Sequence, residues 1–146
     1  MNRIHVGKEF SFYSVGEKTI DVPFYQSNVP AGFPSPAENF MDLDLSLQDY
    51  LVQNPSATFC VRVTGDSMKN AGISSGDVMI VDRALEPKNN TIVLAVLDGE
   101  FTVKRIQKKG DDLFLNPENK DFKAIQITEE MNFQVWGVVT HIIHKV

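Results

Sequence analysis

The stretch RVTGDSMKNAGISSGD, residues 62–77, holds the first side chain that could do covalent chemistry. A strand-like run ends at Thr64, Gly65, Asp66 and Ser67 turn the chain, and Gly72 and Gly76 keep the rest of the loop tight. A serine just past a glycine at a strand end can be exposed with free backbone N–H groups beside it, which is what an oxyanion needs. The same residues suit a structural task, because Asp66 or Ser67 can cap a short helical turn. Familiar partners for the serine are missing. Lys69 stands where G-x-S-x-G requires its second glycine, and Asn70 stands where S-x-x-K requires lysine. The histidines are His5, His141 and His144. The last two form HIIH, and residues three apart on a strand point to opposite faces, which disfavours a metal pair and favours solvated strand-end histidines.

A lysine base is the alternative, and EFTVKRI, residues 100–106, offers one. On a strand Thr102, Lys104 and Ile106 share a face. An ammonium cannot accept a proton, so a catalytic lysine must be desolvated until its pKa falls toward neutrality. Lys104, among apolar neighbours after a tight turn, is placed for that, whereas Lys88, Lys108, Lys109 and Lys120 lie in polar or turn-rich surroundings. Thr102, two residues back, could orient the amine. Taken alone, Lys104 also fits a lysine snorkelling from a sheet edge.

These residues need elements to hold them. TFCVRV alternates, placing Phe59, Val61 and Val63 on one face, while DVMIVD and TIVLAVL predict more fully buried strands. Asp98-Gly99 between two β-rich runs signals a two-residue hairpin. AIQIT and FQVWGVVTHII complete the strands. One helix is predicted in SLQDYLVQNP, with Ser46 as cap, Asp49 three residues later, Leu47, Tyr50 and Leu51 on one face, and Pro55 as the stop. Residues 1–38 have prolines, glycines and no helical period, so they are read as an extended N-terminal arm without room for a helix-turn-helix head, and 39–146 as a compact, mostly antiparallel β domain. Within the arm, NVPAGFPSP sets the small pair Ala31–Gly32 between prolines, either as a connector or as a peptide held extended to be cut.

At 146 residues the chain is of single-domain size. Its longest apolar run, IVLAVL, is far shorter than the roughly 20 residues a bilayer helix requires, and MNRIHVGKEF lacks a signal-peptide core, so no membrane association is expected. A formal net charge of −5 argues against direct grip on duplex DNA, which relies on many Lys and Arg contacts to phosphate. A single cysteine, Cys60, allows no internal disulfide and suggests a reducing, cytoplasmic setting. No metal or cofactor is expected.

Read together, AG in a proline-flanked arm, GDSM after a strand and DGEFTVKR some 37 residues later form an ordered set, with GFPSPA, PSATF, GISSGD, IVD and WGVV in register between and around them. The set resembles the LexA-like family of self-cleaving serine peptidases, and within it the UmuD-like branch of accessory subunits to error-prone translesion polymerases. The likeness spans roughly residues 30–145. It implies Ser67 as nucleophile, Lys104 as general base, Ala31–Gly32 as the scissile bond, and the backbone N–H groups of Asp66 and Ser67 as oxyanion donors. The Ala-Gly pair departs from the Cys-Gly of the best-known UmuD and matches LexA. The fold implied is the LexA/signal-peptidase-like one of curved antiparallel sheets, as a homodimer. The partners implied are a RecA filament on single-stranded DNA, acting as a protein co-factor for cleavage, and a Y-family polymerase catalytic subunit. Three other readings stand beside it. One is an inert dimeric adaptor for polymerase or RecA. Another is a signal-peptidase-like endopeptidase, for which no membrane anchor is visible. The third is a phage or mobile-element regulator with the same chemistry.

Overall fold

In the computed structural model, residues 3–5, 10–16, 21–25 and 41–146 are described, with side chains at 10–16 and 46–146. Eleven strands are present among them: β1 (Arg3–His5), β2 (Phe10–Ser14), β3 (Asp21–Tyr25), β4 (Met41–Ser46), β5 (Thr58–Val63), β6 (Val78–Asp82), β7 (Ile92–Leu97), β8 (Glu100–Lys109), β9 (Asp112–Asn116), β10 (Ile125–Ile127) and β11 (Phe133–Ile143). One helix, α1, covers Leu47–Leu51. The described residues are therefore mostly antiparallel β with one short α-helix.

Nine strands form one sheet in the order β1-β2-β5-β6-β11-β7-β8-β9-β10, every pairing antiparallel. Its two outermost strands have three residues each, a length that leaves little unpaired backbone at the edges. Separately, β3 and β4 pair as a two-stranded sheet. There Pro23 costs no central ladder bond, because both strands are edges.

Two compact units result, one of residues 1–16 and 54–146, the other of residues 17–53. Neither division falls at residue 38, where the texture of the sequence changes. β2 belongs to the main sheet, since Phe10 and Phe12 alternate onto its buried face and the strand pairs from Phe10↔Val63 to Ser14↔Phe59. The region expected to be an arm therefore contains strands at 3–5, 10–14 and 21–25.

Among the described residues two clusters make up the core. Phe10, Phe12, Val61, Val63, Met68, Ile73, Met79, Val81, Leu94 and Val103 form the larger, with Phe59, Phe101 and Trp136 packed against it. Phe101 meets Phe12 at 4.9 Å and Trp136 at 5.1 Å between ring centroids, tilted or edge-on, the geometry in which ring quadrupoles attract. Val93, Ala95, Ile106 and Leu115 form the second. β7 feeds both, Leu94 on one side and Val93 and Ala95 on the other, so its run of apolar residues reflects burial on two faces. Cys60 is buried, which pushes its thiol pKa up and makes it a packing residue.

Local signals account for the turns. Asp98 (φ 49°) and Gly99 (φ 85°) both take positive φ and join Leu97 to Glu100, the two-residue turn that matches strand twist. Ser46 caps α1 by accepting from Asp49 N at 3.3 Å. The helix is only one turn long, and Val52 is already extended. Pro55 does not end it; it opens a 3-10 turn over Pro55–Ala57, where its missing N–H goes unneeded.

Gly137 lies in β11 beside a register shift. A Cβ there would meet Val81 Cγ1 at 2.6 Å and the backbone oxygen of Asp82 at 3.1 Å. The valine methyl could turn aside, but the carbonyl is held in the sheet. Gly137→Ala is expected to cost about 1–3 kcal/mol of stability, as overpacked cores do. A denaturant midpoint unchanged from the parent would show that the strand yields instead.

Candidate active site

Ser67 lies in the loop between β5 and β6, and the sequence explains how that loop is held. At its base Gly76 N donates to Val63 O (2.6 Å) and Val63 N to Asp77 O (2.9 Å). The Asp77 side chain is buried, accepting from Ser74 N at 2.8 Å and facing His144 Nδ1 at 2.6 Å. Further along, Met68 and Ile73 are sunk into the larger core cluster, 2% and 1% exposed. Anchoring Met68 leaves its neighbour Ser67 half-buried at the surface of that core. A 3-10 turn, Lys69–Ala71, comes next, and neither the Asp66 nor the Ser67 side chain caps it: Lys69 N bonds the backbone oxygen of Asp66.

Lys104 comes from β8, from which β5 is separated by β6, β11 and β7. It pairs across the ladder with Val93, and Thr102 pairs with Ala95. Both partners are fully buried, so the stem of Lys104 rises from the second core cluster. Its Nζ is 3.1 Å from Ser67 Oγ, 2.7 Å from Thr102 Oγ1 and 3.1 Å from Val103 O. In the neutral amine one N–H position becomes a lone pair, able to accept the serine proton. Among the described residues, Ser67 Oγ hydrogen-bonds to Lys104 and to no histidine. His144 is engaged with Asp77, and His141 Nδ1 lies 3.0 Å from Thr140 Oγ1.

The amides of Asp66 and Ser67 make no hydrogen bond among the described residues, which leaves two adjacent donors beside the hydroxyl. A cleft of about 80 Å³ opens here, lined by residues that include Thr64, Ser67, Met68, Thr102, Lys104 and Phe122. Small-molecule pockets run to roughly 300–1,000 Å³. This one is far smaller than that range. Ala31 and Gly32 lie outside the described residues.

Part of the site has no signature in the sequence. Glu118 N donates to Ser67 O at 3.0 Å, Asn70 N donates to Glu118 O at 2.9 Å, and Asn119 Nδ2 donates to Asp66 O at 2.6 Å. The Glu118 carboxylate pairs with Arg105. NPENK has the residue types of a turn, but nothing in those types says which backbone the turn will serve.

Among the described residues no helix is long and apolar enough to cross a membrane, and no group of three or more His, Cys, Asp or Glu gathers as a metal site. The peptidase S24-like family profile matches residues 23–140. Protein SamA of Salmonella typhimurium strain LT2 is 46% identical over 123 residues, covering 84% of this chain and 85% of SamA. Protein MucA of Escherichia coli is 42% identical over 132 residues, covering 89% and 90%. The LexA repressor of Shewanella pealeana is 38% identical over 114 residues, covering 78% of this chain and 54% of the repressor. With a family match over most of its length, and close relatives covered over most of theirs, the chain whose serine and lysine meet here belongs to the peptidase S24-like family.

Proposed function

We propose that this protein is a UmuD-like self-cleaving serine peptidase that cuts its own chain between Ala31 and Gly32. The observation that carries the reading is the 3.1 Å contact between Lys104 Nζ and Ser67 Oγ, in a chain of the peptidase S24-like family. Neutral Lys104 takes the proton of the Ser67 hydroxyl as Oγ attacks the carbonyl carbon of Ala31. The oxygen, now negative, is met by the N–H groups of Asp66 and Ser67. Collapse breaks the C–N bond, and the Lys104 ammonium returns its proton to the leaving amine of Gly32. Water, deprotonated by the same lysine, then attacks the ester, which releases Ala31 as a carboxylate and restores Ser67. Thr102 holds the amine in place through its 2.7 Å contact.

Small residues flanking the bond would let backbone enter a narrow cleft, and nearby prolines would lower the entropy lost in binding there. A tethered substrate has an effective concentration on the order of millimolar, enough for a slow catalyst to act once. In this reading a RecA filament on single-stranded DNA promotes cleavage by binding the competent arrangement better than the resting one. The shortened protein, as a homodimer in the cytoplasm, then serves a Y-family polymerase catalytic subunit in SOS mutagenesis. Its similarity to MucA, SamA and the LexA repressor supports that setting.

The test is to follow the intact mass of the purified chain as pH is raised from about 7 to about 10. A fragment beginning at Gly32 is expected to form faster at each step, and Ser67→Ala is expected to abolish it. A mass that never changes, with or without a RecA filament, would leave an inert adaptor as the better reading.

A further inference from the structure

The Ser67–Lys104 contact joins two segments that meet only through tertiary structure, and one short stretch of chain touches both. β9 ends at Asn116, whose partner on β8 is Arg105. The ladder therefore stops one residue short of Lys104, and the chain leaves the sheet toward the Ser67 loop. Glu118 N donates to Ser67 O (3.0 Å), Glu118 O accepts from Asn70 N (2.9 Å), and Asn119 Nδ2 donates to Asp66 O (2.6 Å). Asn119 is itself oriented, since its Oδ1 accepts from Asp121 N at 3.0 Å. The Glu118 side chain reaches back to the guanidinium of Arg105, the residue after Lys104. Arg105 in turn donates to Asn90 O at 2.6 Å, which limits its freedom.

We propose that Glu118, Asn119 and Arg105 are positioning residues that clamp the nucleophile loop to the strand bearing the base and so set the distance from Ser67 Oγ to Lys104 Nζ. The proposal rests on the self-cleavage reading. Asp66 and Ser67 are the two residues whose amides would hold the oxyanion, and the clamp grips the carbonyl of each. Fixing those carbonyls fixes the neighbouring peptide planes, hence the direction in which donors and hydroxyl point. A displacement of about 1 Å in such an arrangement costs on the order of a hundredfold in rate.

The test compares the full chain with Asn119→Ala, Glu118→Arg, Arg105→Glu and the exchange variant that carries both charge changes. Self-cleavage is followed by intact mass across pH 7–10. Asn119→Ala and each single charge change are expected to lower the high-pH plateau about tenfold to a hundredfold, with the midpoint unmoved in the charge-neutral Asn119→Ala, and the exchange variant to recover most of the loss. Plateaus equal to the parent's, or a shifted midpoint at an unchanged plateau, would overturn the clamp, as would an exchange variant that folds but stays slow. Because a single charge change can impair folding, deuterium exchange is also read over residues 66–72 in Ser67→Ala protein with and without Asn119→Ala. Faster exchange with Asn119→Ala is expected, and identical exchange overturns the proposal whether or not the chain cleaves. If the parent never cleaves, the self-cleavage reading fails instead.

Discussion

Lys104→Met is expected to slow self-cleavage by about 10²–10⁴-fold, the usual contribution of a general base. Methionine keeps an unbranched stem against Val93 and removes the amine, so packing is largely preserved. Lys104→Arg separates two roles. If the lysine served only as a positive charge beside Ser67, arginine would substitute for it. If it accepts a proton, arginine fails, because a guanidinium cannot be deprotonated in a protein. Both variants are expected to fail. The pH dependence obeys the same logic. In the proposed mechanism the active form is the free amine, so the rate of the parent is expected to rise about tenfold per pH unit below the pKa of the amine and to level off above it. Both variants should lose that rise. First-order rates from intact mass decide the matter, and a Met variant within a few-fold of the parent at every pH would remove Lys104 from the mechanism.

Gly65→Ala is expected to cost about 1–3 kcal/mol of stability, roughly 3–10 °C in melting temperature for a chain of this length, and to slow cleavage about a hundredfold. Gly65 has φ +136°, which L side chains rarely adopt, yet nothing lies within 4 Å of the Cβ it would gain. The cost is therefore backbone strain and not a clash. That strain falls one residue before Asp66, whose peptide would help hold the oxyanion, and relaxing it must move Ser67 relative to Lys104. Gly110→Ala is the control. Gly110 also has positive φ (63°) with open space around it, but it sits in the turn between β8 and β9. It should lower the melting temperature and leave the cleavage rate alone. Equal rates for both variants would show that the loop before Ser67 absorbs the change without consequence.

Much of the fold is local in origin and is readable for that reason. Alternation in TFCVRV, the apolar run IVLAVL and the Asp98-Gly99 turn each express the conformational preference of a few neighbouring residues, and β5, β7 and the β7–β8 hairpin result. Ser46 as helix cap is readable on the same grounds, while the length of α1 is not: after Leu51 the chain turns extended well before Pro55. Phe10 and Phe12 show the opposite limit. Their alternation marks a strand, but that it joins β5 in the main sheet depends on the complementary pattern of a segment some fifty residues away.

The candidate site divides in the same way. Residue types alone made Ser67 and Lys104 candidates: a serine after a glycine turn with open amides, and a lysine on a strand among apolar neighbours. Thr102 entered through strand periodicity. Tertiary structure decided that Lys104 meets Ser67 at all, since three strands separate β5 from β8 and only a loop anchored by Met68 and Ile73 brings the hydroxyl across. It also decided that Glu118 and Asn119 hold the serine loop and that His144 answers Asp77. Alternation, turns and caps are set by interactions between near neighbours and so are written in short stretches of chain. Contacts between distant segments depend on which strands end up adjacent, and that is fixed by how the whole set of apolar faces is buried at once.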